Sequence, residues 1–111
     1  MGQDAVVLVG VTFGAWCPLA DAAAHAPARP GVAQLRQAHG LRDYPRGKSA
    51  MVHYEATDDL QALARRLGAT FPAAPWLWRS SQEVVSPERA VTEFETLHRM
   101  FVTRFGAPPS G

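Results

Sequence analysis

Apolar residues follow two rhythms along this chain. From Val6 to Ala20, VVLVGVTFGAWCPLA, they are nearly continuous. A run of β-branched and small apolar residues that stops at a cysteine reads as a buried strand delivering a thiol to the start of a helix. Residues 5 to 13 form that strand, and with both faces apolar it belongs in the middle of a sheet covered on both sides. Pro18 suits a first helical turn, so a helix is expected from about Pro18 through DAAAHA, interrupted by Pro27 and Pro30. GVAQLRQAHG then places Val32 and Leu35 at helical spacing and predicts a further helical segment ending at Gly40.

LRDYPRGKS is a polar connection, and Met51 to Thr57 alternates roughly enough to predict a second strand. With Thr57 or Asp58 as N-cap, Leu60, Leu63 and Leu67 line one face of a short helix that Gly68 ends. TFPAAP is a loop. Trp76 to Arg79 is a third strand and Glu83 to Val85 a short fourth, close enough to form an antiparallel hairpin. Ser86 and Pro87 start a last helix whose apolar face is Val91, Phe94, Leu97, Phe101 and Phe105, stopped by Gly106.

Composition narrows the function classes. A chain of 111 residues, 47% of them hydrophobic, fits one domain spanning 1–111 with a core of its own. A net charge of +1, from eleven basic and ten acidic side chains spread along the chain, offers no footprint for nucleic acid or an anionic membrane. No run is long enough to span a bilayer and the N-terminus lacks a basic leader region, so a soluble, cytoplasmic protein is expected.

Candidate chemistry centres on one residue. Cys17 is the single cysteine, so it forms no internal disulfide, and any role it has involves an external sulfur or an oxidant. A helix N-terminus above it would favour the thiolate. His25, His39, His53 and His98 are scattered without metal-ligand spacing, so no metal is expected. Gly47-Lys48-Ser49 ends like a phosphate loop, but Arg42 stands at its first glycine and a strand follows where a helix is needed.

The order strand, Trp-Cys-Pro, helix, strand, helix, proline-ended loop, hairpin, helix resembles the thioredoxin superfamily over nearly the whole chain. VLVGVTFGAWCPLA looks like the family's apolar strand and W-C-x-x-C motif, and AAPWLW like the loop ending in its cis-proline. The resemblance implies a thioredoxin-like α/β fold: a four-stranded mixed sheet of order 2-1-3-4 with helices on both faces. It also implies that Cys17 is the nucleophile, that Trp16 and Pro18 flank it, and that Ala74 and Pro75 share a cis bond against the sulfur. Trp16 and Trp76 would wall a groove beside it.

Two departures qualify what is implied. Ala20 replaces the resolving cysteine and Val11 the buried acid, so a dithiol reductase is excluded. Ala20 is also what a mixed-disulfide trap carries in place of that cysteine. The expected function is monothiol exchange on a protein or small-molecule thiol or disulfide, resolved by glutathione or another low-molecular-weight thiol, with no resident cofactor. The alternative is a redox-inactive binding or chaperone module. A monomer or weak dimer is expected in either case.

Overall fold

A computed structural model describes residues 7–8, 11–71, 75–82 and 86–109. Strands and helices alternate in three layers, with one four-stranded sheet between a pair of helices and a single long one. The elements are β1 (Val7–Leu8), β2 (Val11–Thr12), β3 (Cys17–Pro18), α1 (Leu19–His25), β4 (Gly31–Gln37), β5 (Arg42–Tyr44), β6 (Gly47–Ser49), β7 (Met51–Thr57), α2 (Leu60–Thr70), β8 (Trp76–Ser80) and α3 (Pro87–Phe105).

The α/β class and the helices on both faces agree with expectation, but the sheet does not have the thioredoxin-like order. It runs β3-β8-β4-β7, with every neighbouring pair antiparallel. Each helical crossover therefore joins two strands that point the same way but leave a place between them. The β3–α1–β4 unit encloses β8, and the β7–α2–β8 unit encloses β4. The two units interlock, and among the described strands of the sheet β4 and β7 are the pair that are neighbours both in the sheet and in sequence, apart from the β5–β6 excursion between them.

Two expected elements take other forms. The apolar run at 5 to 13 is not a central strand. Its described part turns back on itself as the β1–β2 hairpin, and Phe13 then bridges to Ser81. The segment expected as a helix, Gly31 onward, is the central strand β4. Its helix-favouring composition yields to burial, because Ala33 and Leu35 fill the core under α1 and α2 while Val32 fills the core under α3. A position between two hydrophobic layers is better filled by a strand, whose side chains alternate between them. The polar connection after it carries the two-stranded β5–β6 hairpin.

Local signals hold elsewhere. Met51 to Thr57 is a strand as expected. The cap of α2 is Asp59, one residue later than expected: its carboxylate accepts from the Ala62 N–H at 3.1 Å, and the helix runs on past Gly68 to Thr70. Ser86 accepts from the Arg89 N–H, Pro87 opens α3, and Gly106 closes it at φ 83°. Val91, however, is exposed, and the inward line of α3 is Ala90, Glu93, Leu97 and Phe101. The stripe is turned so that Glu93 reaches the Arg89 guanidinium at 2.7 Å. The expected strand at Glu83 to Val85 lies outside the described residues.

α3 packs on β7 and β4. The β5–β6 hairpin docks beside its C-terminal end, where Tyr44 meets Phe101 edge-on at 5.1 Å. There Arg46 donates to the Val102 and Thr103 carbonyls in the last turn of the helix, Val102 also accepting the N–H of the capping Gly106. The β8 and β3 side of that face is left outside the main helix contact, and this positions one of the two polar clusters described next.

Candidate functional site

The sheet divides the expected site residues between its two faces. Cys17 pairs with Trp78 across β3 and β8, and both side chains face α1 and α2, as does Trp76 two positions back. Trp16 belongs to the opposite face, where the guanidinium groups of Arg36 and Arg79 lie over its ring. The two indoles therefore do not wall a common groove. Pro18 is exposed and pairs with Leu77. Ala74 lies outside the described residues, and with it the Ala74–Pro75 bond.

Cys17 directly precedes the start of α1, as expected, but its side chain packs toward the core. It lies in an edge strand, Pro18 is the N-cap of α1, and that helix is a mere seven residues long. The thiol is half-buried, and burial pushes its pKa up, with the Asp21 carboxylate adding to the effect. Both causes disfavour the thiolate.

Pro75 and Trp76 line a cleft of about 280 Å³ together with Gln37, His39 and Arg42. The chain builds it by ending β4 against β8, where Gln37 pairs with Trp76 and the Ala38 N–H donates to the Pro75 carbonyl at 3.1 Å. Gly40, at φ 78°, then turns the backbone so that Arg42 comes round beside the same opening. The side chain of Gln37 holds this turn by donating to the His39 carbonyl. Phe71 meets Trp76 edge-on at 5.2 Å and fixes the indole. Two donors here, Arg42 Nε and Trp76 Nε1, are buried and unpartnered among the described residues.

The cluster on the other face is built from β4 and β8. Arg36 and Arg79 place Cζ at 4.7 and 4.5 Å from the Trp16 ring centre, and Arg79 Cζ lies 4.7 Å from the Phe13 ring centre. Arg79 Nε donates to Gln34 Oε1 at 2.6 Å. Gln34 is 1% exposed, and its Nε2, like Arg36 Nε, is buried without a partner among the described residues. Burial lowers the pKa of Arg79; the nearby Tyr54 works against this and the charge of Arg36 adds to it. Tyr54 itself is pushed up to about 12 by burial, against the opposing pull of Arg79.

A third polar group is already paired. Glu55 accepts from His53 at 2.7 Å and from Arg66, so its carboxylate meets two donors. No group of three or more His, Cys, Asp or Glu side chains suited to a metal ion occurs among the described residues. No described helix is long and apolar enough to cross a membrane.

Sequence reasoning expected Pro75 and Trp76 beside Cys17, whereas they line a cleft with Gln37 and His39, from the segment read as a helix, and Arg42, from the segment read as plain connection; it singled out none of those three as site residues. It also missed Arg36 and Arg79. On the helix expected at 31–40, Arg36 had no reason to meet Arg79; strand pairing brings them together. No protein-family model, curated protein or solved structure matches this chain.

Proposed function

We propose that the chain is a binding domain that works without thiol chemistry, and that the cleft at Trp76 and Arg42 takes a small carboxylate ligand. The observation that carries this reading is the pair of buried, unpartnered donors at the cleft, Arg42 Nε and Trp76 Nε1. A buried donor left unpaired costs about 1–3 kcal/mol. A ligand acceptor that met either donor would recover much of that, and a carboxylate is the acceptor a guanidinium favours most. Pro75 and the Trp76 ring supply apolar surface for the remainder of a ligand, in the usual pattern of a concave site with a few polar anchors.

Monothiol exchange at Cys17 has weaker support. A nucleophilic thiol needs surroundings that favour its anion, whereas burial and Asp21 both work against it here. Cys17 is also not among the residues that line the cleft.

Benzoate is a suitable probe, with a ring for Trp76 and a carboxylate for Arg42. The expected result is a saturable shift of the Trp76 indole N–H in proton–nitrogen correlation spectra. Replacing Arg42 by Gln should weaken binding at least about tenfold, as loss of a charge-assisted bond does. Absence of saturation, or a response equal in the Arg42→Gln protein, would remove the cleft as a carboxylate site.

A further inference from the structure

The sheet face opposite the cleft carries a second site. We infer that Arg36 and Arg79, held over Trp16, bind a doubly charged oxyanion of the phosphate monoester class.

The first ground is uncompensated charge. Among the described residues the ion pairs are Lys48–Asp43, His53–Glu55, Arg66–Glu55 and Arg89–Glu93, and none involves Arg36 or Arg79. Two guanidinium ions thus lean on one indole with no ion-paired carboxylate among the described residues. The charge of Arg36 acts on Arg79, and like charges repel more where water is partly excluded. An anion within reach of both groups would offset that repulsion.

The second ground is uncommitted donors. Arg79 uses Nε for Gln34, and its terminal nitrogens make no hydrogen bond among the described residues. No side-chain nitrogen of Arg36 makes a hydrogen bond among the described residues, and its Nε is buried. Beside them stands Gln34, 1% exposed with Nε2 unpartnered. Guanidinium forks fixed against an aromatic ring lose little freedom on binding, and they match the several oxygens of a phosphoryl group.

The third ground is what the ring is doing. Trp16 is covered by the guanidinium groups and Arg79 is also laid against Phe13, so the aromatic surface orients the cations and is not free to stack a ligand base or ring. Recognition is therefore confined to the charged group. Two positive charges favour a dianion over a carboxylate, which would neutralise only one of them.

The test is titration with inorganic phosphate against sodium chloride at matched ionic strength, at a pH where phosphate is mostly dianionic, following the Trp16 indole N–H and the Arg36 and Arg79 Nε–H signals. Saturable shifts of all three are expected. Arg36→Gln should weaken the response about tenfold or more, and Arg36→Lys, which keeps the charge but loses the fork, by a smaller factor. Arg36 is partly exposed, so these variants should fold, which their near-ultraviolet circular dichroism checks. Arg42→Gln should leave the phosphate response unchanged, which separates this site from the cleft. A linear response, an unchanged one in Arg36→Gln, or acetate acting as strongly as phosphate would each overturn the inference.

Discussion

Cys17 stands directly opposite Trp78 in the antiparallel pairing of β3 with β8, on the face that α1 and α2 cover. The thiol is thereby packed against the core, although it lies one residue before the N-cap of α1. The pH profile of its alkylation should have its half-point above the ordinary thiol range, and Asp21→Asn should move that point down by removing the adjacent negative charge. Because the folded value is raised, the linked stability is complete below the unfolded thiol value and is lost as pH rises through the folded one. A half-point near neutrality, with fast native labelling, would restore monothiol exchange with glutathione or a similar thiol.

Tyr54 gives a second alkaline signature. Its hydroxyl is raised from 10.0 to about 12, chiefly by burial under α3. The sign is the same as for the thiol: the folded state keeps the proton longer than the unfolded chain does. Stability should therefore be full below pH 10, fall between there and pH 12, and fall less in Tyr54→Phe. Melting temperature followed over the accessible part of that window in both proteins checks it. Parallel curves would show that Tyr54 is not the group responsible.

Gly31 is placed where a side chain does not fit. An added Cβ would lie 2.7 Å from Ser81 Oγ and 2.8 Å from Leu60 Cδ1. The Ser81 hydroxyl accepts from the buried Val32 N–H at 3.0 Å, so Gly31→Ala strains both a hydrogen bond and α2. Overpacking of this kind costs about 1–3 kcal/mol. Ser81→Ala should cost about 1–3 kcal/mol as well, through the orphaned Val32 N–H. Urea unfolding of the double variant should show less than the sum, since removing the hydroxyl also relieves the closer clash. Simple additivity would contradict this coupling.

Phe101 joins the β5–β6 hairpin and β7 to α3. It is 5% exposed and meets Tyr44 at 5.1 Å and Tyr54 at 5.7 Å, both edge-on. Truncating a buried phenylalanine typically costs about 3–5 kcal/mol, so Phe101→Ala should lower the urea midpoint by a large fraction of the total stability. Amide exchange should also quicken in Arg42–Ser49, which Tyr44 anchors to the helix at Phe101 and Phe105. Protection unchanged in that hairpin would mean that Arg46 and its carbonyl bonds suffice to hold it.

What sequence alone determined here is local. The Ser86-Pro87 start and Gly106 stop of α3, a helix opening at Leu60, though on Asp59 and not on Thr57 or Asp58, and the strand from Met51 to Thr57 follow from side chains meeting their own backbone or their near neighbours, so a short window contains the cause. The tertiary structure decided the rest. Gly31–Gln37 has helix-favouring composition, yet becomes the central strand because both hydrophobic layers need it there. Pairing of 33–37 with 76–80, across some forty intervening positions, set the strand order and put Trp16 and Trp76 on opposite faces. The same pairing assembled Arg36 and Arg79 over Trp16. Such contacts form only between segments distant in the chain, and their energy depends on what each surface buries against the other, which no pattern within a single segment records.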